Sequence, residues 1–352
     1  MVDICVKVKD FLKSSQEIAD MYSSKKELSD TIDDSKLIMS EQVSGIAGML
    51  LELAKDVKSV VSFDSAREER LIDELAYKNV VASEAAVYSD GETLKATLVV
   101  REEDADKATV VKAVSRVLGC PMLPYSKTAS AGSVSVSFVS APRYDLIFGE
   151  CSSLKEGSDK SGDTKTIIKL STDKVLAAIC DGMGSGRDAA SGSNSAIALV
   201  ESFYKAGIDD SVVLSLINKL LSVRNEENFQ TLDMCVINLR KGYADFIKLG
   251  APESVIRNKD SVEIIKGGAL PLGILDTVKP CVTRRIINPG DMIALFSDGV
   301  SDNIGAEGVA RISEQNPTTN PQALAELIIE DAEYAGKSDD KTVICCRLFY
   351  KI

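Results

Sequence analysis

The C-terminal part of the chain alternates short apolar runs with turn signals. From Arg143 onward the turns 240–242 and 258–260 join neighbouring runs as hairpins. Strand character covers residues 144–149, 167–170, 176–180, 232–239, 244–249, 254–257, 262–265, 281–286, 293–296 and 342–348, and helical periodicity covers residues 188–205, 210–223, 306–314 and 321–334. Because hairpins dominate, we predict antiparallel sheets with inserted helices, an α+β fold.

Residues 63–141 carry a smaller pattern. The predicted elements are helices at 66–77 and 104–118 and strands at 80–88, 94–100 and 134–138. Asp104 is the expected N-cap of the second helix, and residues 121–133, rich in Pro, Ser, Ala and Gly, are expected to form a loop or hinge. The order α-β-β-α-β indicates a small regulatory module without a catalytic residue.

Residues 1–62 show helical periodicity and almost no strand pattern. Gly45 and Gly48 lie beside an apolar stripe and would permit close approach of another helix. Two interpretations stay open, an amphipathic hairpin packed on its own domain and a dimerisation or signalling helix. The predicted organisation is therefore a helical segment (1–62), a regulatory module (63–141) and a larger domain (142–352).

Composition excludes several classes of function. A formal charge of −12 over 352 residues argues against a nucleic-acid partner. No apolar run is long enough to span a bilayer and the N-terminus lacks a signal peptide, so we expect a cytoplasmic chain, membrane-associated only if a longer product carries transmembrane helices. The eight cysteines include no CxxC pair, which argues against zinc sites and disulfide frameworks. The absence of histidine excludes a Ser-His-Asp triad, an HExxH metalloprotease and a phosphohistidine intermediate.

Carboxylates recur where apolar runs begin or end. Asp181 and Asp298 each end a strand-like run and precede a glycine, while Asp163 and the pair 339–340 stand just before two others. Clustered carboxylates repel unless a cation holds them together, and oxygen-only ligands favour Mg²⁺ or Mn²⁺ over zinc. The missing Cβ of Gly182 would also let its carbonyl approach a metal. One Asp-Gly pair alone would indicate only a turn, but two copies with further acids indicate a metal site.

The segment DGMGSG at 181–186 does not match a nucleotide-binding loop, because it lacks the P-loop ending and the GxGxxG spacing. Together with other motifs it resembles the PPM (PP2C-like) serine/threonine phosphatases, most closely the stage II sporulation protein E subgroup. The motifs appear in the family's order over residues 143–350: SGDT, DGMGSG, TLD, GAPESVIR, LPLGI, GD, SDGVSD and DDKT.

This resemblance implies a PP2C-like α-β-β-α sandwich of two antiparallel sheets flanked by helices, with two Mn²⁺ or Mg²⁺ ions at one edge. Asp181 would bridge both metals, Gly182 would donate its carbonyl, Asp298 and Asp339 would complete the second metal, and Asp163 matches the first acidic motif. A water activated by the two metals would attack phosphorus without a covalent intermediate. The side chains with lesser expected roles are Asp340 outside the ligand shell, Asp302 at a third ion, and Arg187, either at the substrate phosphate or at a solvent-exposed helix start.

The resemblance also implies a substrate, the phosphoserine form of an anti-anti-sigma factor whose dephosphorylation activates a sigma factor in sporulation-type signalling. A homodimer formed through the N-terminal region is the expected assembly. Two hypotheses remain open from the sequence: a protein serine phosphatase switched by its N-terminal regions, and a weakly active or non-catalytic partner-switching module with the same fold. The complete acidic set favours the phosphatase.

Overall fold

The computed structural model describes residues 62–89, 93–130, 132–182, 187–205, 213, 230–268, 271–272 and 281–351. The predictions for residues 1–61, for the glycine loop at 183–186 and for all but one residue of the helix at 210–223 lie outside the described residues. The described residues divide into two compact units, one that ends at Ala141 and one that begins at Pro142.

The first unit is a five-stranded antiparallel sheet, in the order β1-β2-β3-β5-β4, that packs against two helices. Its elements are β1 (Ser62–Phe63), α1 (Ser65–Tyr77), β2 (Ala82–Ser89), β3 (Leu94–Arg101), α2 (Ala108–Leu118), β4 (Met122–Ser130) and β5 (Ser133–Ser140). Asp64 caps α1 by accepting the Arg67 amide, and Gly119 ends α2 in the left-handed region. The apolar faces of the helices and of β3 and β5 form the core, which includes Leu71, Leu75, Val114, Leu98 and Phe138.

Two predictions for this unit are wrong. Residues 121–133 are not a loop, because β4 pairs along its length with β5 and bulges near Pro124. All of β4 except Met122 is exposed, and an edge strand that buries so little has the polar composition of a loop. Asp104 is not the N-cap of α2, which is Lys107. Asp104 is instead fully buried in a 3₁₀ turn, paired with Arg101 and Lys107.

The second unit contains two five-stranded antiparallel sheets. The β8 sheet has the order β13-β10-β9-β8-β7, and the β14 sheet has the order β12-β11-β14-β15-β6. The strands are β6 (Tyr144–Ser153), β7 (Asp163–Lys169), β8 (Lys174–Gly182), β9 (Gln230–Asn238), β10 (Tyr243–Leu249), β11 (Ser254–Arg257), β12 (Val262–Ile265), β13 (Cys281–Ile286), β14 (Met292–Phe296) and β15 (Lys341–Tyr350).

Alternate residues of both sheets form one shared apolar core between them, including Ile179, Phe246, Leu295 and Ile344. Helix α3 (Arg187–Lys205) packs on β7 and β8, while α4 (Asp298–Gln315) and α5 (Pro321–Tyr334) pack on the β14 sheet. The helix predicted from residue 306 is present as the part of α4 that follows a kink at Gly305, whose φ of 67° is not helical. The helical stretch before the kink, which begins at Asp298, was not predicted. Helices therefore flank a sandwich of two antiparallel sheets, as predicted.

Strand β6 lies at the edge of the β14 sheet, and its outer side is partly covered by α5. The side-chain amide of Gln322 accepts the Glu150 N–H at 3.0 Å and donates to the Glu150 carbonyl at 2.9 Å. A Cβ at Gly149 would collide with the Gln322 backbone, so this close approach requires glycine. Among the described residues, no helix is both long and apolar enough to cross a membrane.

Candidate active site

Asp163 and Asp181 face each other at one end of the β8 sheet. Asp163 opens β7 and Asp181 is the last residue but one of β8, and the antiparallel register pairs the two residues directly. Directly opposed side chains in an antiparallel pair lie on the same face of the sheet. The sequence prediction that separate acidic motifs meet at strand ends thus holds for this pair.

Asp298 approaches the same place from the other sheet. It is the first residue of α4, directly after β14, and Ser297 is the N-cap. The Ser297 amide donates to the Thr342 carbonyl at 2.9 Å, and the Thr342 amide donates to Ser297 Oγ at 3.0 Å. These bonds tie the end of β14 to the start of β15 and fix the position of Asp298. The charge of Asp298 raises the pKa of Asp181, so the two carboxylates lie close together.

The Asp163 carboxylate is buried, and neither of its oxygens has a hydrogen-bond partner in the part of the chain that the structure describes. Burial raises the pKa of Asp163 to about 6, even though the nearby hydroxyls of Thr342 and Ser297 lower it. A buried carboxylate without a partner is unfavourable unless a proton or a cation compensates it. Its oxygens therefore provide a place for a positive charge.

At the neighbouring acids, repulsion between carboxylates raises the pKa in addition to the effect of burial. Burial, together with the charges of Asp163 and Asp298, raises the pKa of Asp181 to about 9. Partial burial of its carboxyl also raises the pKa of Asp298, with repulsion from Asp339 and Asp302 adding to the effect and Asp181 opposing it. The acids predicted from separate motifs thus act on one another electrostatically, as a site that lacks its counter-charge would.

Asp339 is half exposed at the rim of this cluster. Its Oδ1 accepts the Asp340 amide at 3.0 Å and lies 3.8 Å from Lys155 Nζ. Since its charge raises the pKa of Asp298, its carboxylate lies close to that residue.

Asp340 is buried, and its carboxylate accepts backbone amides of a neighbouring loop. Its Oδ1 accepts the Lys155 amide at 2.9 Å, and its Oδ2 accepts the Gly162 amide at 2.8 Å. Both oxygens are thus engaged by the loop that leads from β6 into β7, the strand that Asp163 opens. Asp340 thus orders the backbone next to Asp163, and its role outside the ligand shell stays a prediction.

The glycines of the two Asp-Gly motifs permit close backbone crossings. A Cβ on Gly182 would collide with the Ala189 carbonyl in the first turn of α3, and a Cβ on Gly299 would collide with the Asp340 carbonyl. Each glycine thus lets another segment pack against the residue that follows a site aspartate. Whether the Gly182 carbonyl binds a metal stays a prediction.

The remaining candidates lie at the periphery. Asp302 is exposed one turn after Asp298 on α4, and Arg187 is the first residue of α3, with a side chain outside the described part. In the described ranges no three His, Cys, Asp or Glu side chains are arranged to hold a metal ion. The donor chemistry nevertheless fits a hard divalent cation, because the acids supply only oxygen and Asp163 leaves two buried oxygens without partners.

Sequence reasoning missed three contributors to the cluster, the hydroxyls of Ser297 and Thr342 and the Lys155 loop. The two hydroxyl residues stand inside the SDG and DDKT motifs, and both affect the pKa of Asp163. Their position beside the acids was a signal that could have identified them. Lys155 carried no such signal, because only the folded chain brings it to residues 339–340.

Comparisons with known proteins agree with this description. The family profile "Stage II sporulation protein E (SpoIIE)" matches residues 171–349. Stage II sporulation protein E of Bacillus subtilis (strain 168) is 26% identical over 337 residues, covering 90% of this chain and 40% of that protein. The protein of the same name from Priestia megaterium is 27% identical over 371 residues, covering 98% of this chain and 62% of its own length.

A solved structure of the PP2C phosphatase domain and a fragment of the regulatory domain of the cell fate determinant SpoIIE from Bacillus subtilis is also similar. It has a TM-score of 0.67 and 25% identity, and the match covers 91% of this chain and 99% of that one. The chain spans only 40–62% of the length of the two relatives above. Both the resemblance expected from the motifs and the PP2C-like fold are confirmed.

Proposed function

This chain belongs to the stage II sporulation protein E family, and on that premise we propose that it is a metal-dependent protein serine phosphatase. The proposed substrate is a phosphoserine protein, an anti-anti-sigma factor whose dephosphorylation activates a sigma factor. The proposed cofactors are two Mn²⁺ or Mg²⁺ ions, held by Asp163, Asp181, the Gly182 carbonyl, Asp298 and Asp339. Two carboxylates come from each sheet of the sandwich.

The observation that carries the proposal is the uncompensated cluster of acids at one end of the sandwich. Asp163 buries two oxygens without partners, and the charges of Asp163 and Asp298 both raise the pKa of Asp181. Such an arrangement weakens a fold unless it serves a ligand. Divalent cations are the ligands that oxygen donors of this kind prefer.

In this mechanism the aspartates bind and orient, and none of them attacks the substrate. When bound, the metal ions would lower the pKa of a water and neutralise charge on the phosphoryl oxygens. Asp163 and Asp181 would fix the ions from the β8 sheet, and Asp298 and Asp339 from the β14 sheet. Asp340 would hold the Lys155–Gly162 loop in place, so that Asp163 keeps its position when substrate arrives.

The test is Mn²⁺-dependent hydrolysis of p-nitrophenyl phosphate, followed by phosphate release from a panel of phosphorylated anti-anti-sigma proteins. Asp181→Ala and Asp298→Ala should each abolish turnover, whereas Asp260→Ala, which changes an exposed acid in the β11–β12 turn, should leave it unchanged. Full turnover in either site variant, or in excess chelator, would refute the metal-dependent mechanism. Activity on the aryl phosphate but on no member of the panel would refute only the substrate assignment.

One observation favours the second candidate, a partner-switching module with little or no turnover. Among the described side chains none of the acidic groups is already arranged around a metal position. A protein of this kind would bind its phosphorylated partner without releasing phosphate at any Mn²⁺ concentration. Binding and turnover measured on the same phosphoprotein therefore separate the two candidates.

A further inference from the structure

A charged side chain is completely buried in the sandwich, away from the acidic cluster. Lys248 is 1% exposed, and its Nζ donates to Asp233 Oδ2 at 2.8 Å, to the Pro252 carbonyl at 2.7 Å and to Ser254 Oγ at 2.7 Å. Ser254 Oγ in turn donates to Asp233 Oδ2 at 3.1 Å. Asp233 Oδ1 is buried without a partner among the described residues.

These three side chains connect the two sheets. Lys248 and Asp233 are direct cross-strand neighbours on β10 and β9 of the β8 sheet. Ser254 is the first residue of β11, which belongs to the β14 sheet. The Lys248 ammonium therefore spans the sandwich with directed bonds, where most of the core is apolar contact.

The bridge lies one strand away from the site on both sides. Thr231 of β9 pairs with Asp181 of β8, and Asp233 is two residues deeper on the same face, opposite Ile179. In the other sheet β11 pairs with β14, the strand that leads into Asp298. The network thus joins β9 to β11. Strand β9 lies beside β8, which carries Asp181, and β11 lies beside β14, which leads to Asp298.

This placement matters because the site draws its acids from both sheets. The gap between the sheets sets the separation of Asp181 from Asp298, and metal ligation tolerates errors of only about 0.2 Å in distance. Apolar contacts are non-directional and allow small shifts, whereas three hydrogen bonds from one ammonium do not. A buried ion pair is also rarely more stabilising than apolar residues of the same volume. A role in fixing the spacing of the two sheets therefore explains the buried Lys248–Asp233 pair better than a contribution to stability does.

We propose that Lys248, with Asp233 and Ser254, is a positioning residue that fixes the spacing of the two sheets and thereby holds Asp181 and Asp298 at the separation that the metal site needs. This inference rests on the proposed function. A second cross-sheet contact runs at the other edge, from Lys165 Nζ to Ser152 Oγ at 2.9 Å, but it is partly exposed. Of these two contacts, the Lys248 bridge is the one whose charged groups are fully buried.

The test separates stability from geometry with two variants. Ser254→Ala leaves the Lys248–Asp233 pair intact within its sheet and removes the direct bond to β11. The double variant Lys248→Met with Asp233→Leu replaces the whole pair by apolar side chains of similar size. Ser313→Ala is the matched control for the first variant, since Ser313 is equally buried and its hydroxyl donates within α4, to the Val309 carbonyl.

Three quantities are measured on each protein: the thermal midpoint without metal, the Mn²⁺ dissociation constant by calorimetry, and amide exchange at residues 181–182 and 297–299. We expect both bridge variants to stay folded, to bind Mn²⁺ about tenfold more weakly and to exchange faster at these amides. The Ser313→Ala control should keep wild-type Mn²⁺ affinity and exchange. If the double variant does not fold, Ser254→Ala alone decides.

Wild-type Mn²⁺ affinity and wild-type exchange in a folded bridge variant would overturn the inference, because the network would then be only structural. Failure of the proposed function has a different signature, namely a wild-type protein that neither binds Mn²⁺ nor releases phosphate. In that case the exchange measurement still decides whether the network fixes the two strand ends.

Discussion

The contact between Asp340 and the loop before β7 gives a quantitative prediction. Asp340 is 6% exposed, and its carboxylate accepts the Lys155 and Gly162 amides. Replacing it with alanine leaves two backbone N–H groups without their charged acceptor. The Gly162 bond is buried and the Lys155 bond partly buried. At about 1–3 kcal/mol for each unsatisfied donor, with the lower value for the Lys155 amide, Asp340→Ala should cost about 2–4 kcal/mol of unfolding free energy.

The Asp340→Asn variant should lose an intermediate amount of unfolding free energy. Its side chain keeps one acceptor oxygen and turns an NH₂ donor toward the second amide, so about half of the loss should remain. Asp339→Asn is the matched control. Asp339 is half exposed and accepts only one nearby amide, so the unfolding free energy should change by less than about 1 kcal/mol.

The assay is urea unfolding of the metal-free protein at pH 7, followed by circular dichroism, with limited proteolysis of the loop at residues 154–162. We expect the order wild type, Asp339→Asn, Asp340→Asn, Asp340→Ala in decreasing stability, and faster cleavage of the loop in the last two variants. An Asp340→Ala protein as stable as Asp339→Asn would refute the reasoning, since the two amides would then have found other acceptors at no cost.

Three further predictions concern the site and the N-terminal region. The folded-state pKa values of Asp163 and Asp181, about 6 and about 9, lie above the ordinary 3.8, so the metal-free protein should lose stability as pH rises from about 4 to about 9. Mn²⁺ should suppress that loss in thermal unfolding, and an unchanged midpoint from pH 5 to 9 in chelator would contradict it. Gly299→Ala should cost at least about 1–3 kcal/mol because its Cβ meets the Asp340 carbonyl, whereas Gly268→Ala, with open space around it, should melt as wild type does. Deleting residues 1–62 should change the hydrolysis rate or the sedimentation coefficient. If both values equal those of the intact chain, the region has no role in activity or assembly and serves only for packing.

The sequence predicted those elements whose pattern is local. The bounds of β11, β12, β13 and α5 coincide with the predicted ones, because each is a short apolar run between clear turns or a helix that begins at Pro321. Strand β4 was missed because its stability comes from pairing with β5, and an exposed edge strand has no apolar alternation to detect. The helical stretch of α4 between Asp298 and the kink was missed because Gly305 interrupts the helical pattern.

The residues of the candidate site also divide into those with a local signal in the sequence and those without one. Position at the end of a strand-like run pointed to Asp163, Asp181 and Asp298 without any knowledge of their partners, and a following glycine added to the signal at Asp181 and Asp298. Asp233 alternates with apolar neighbours as a residue of any half-buried strand does, so its sequence pattern indicates only ordinary strand packing. Its partner Lys248 stands fifteen positions away on the next strand, and only the register of β9 and β10 makes them neighbours. Polar contacts set by register are not visible in a linear pattern.

The bond between Gln322 and Glu150 has a consequence for how this protein behaves in concentrated solution. An outermost strand can nucleate aggregates by recruiting the same strand from another molecule. Here a side-chain amide already supplies the donor and acceptor that an incoming strand would offer, so recruitment at that point requires its displacement first. Gln322 thus opposes the addition of another strand to β6 at Glu150.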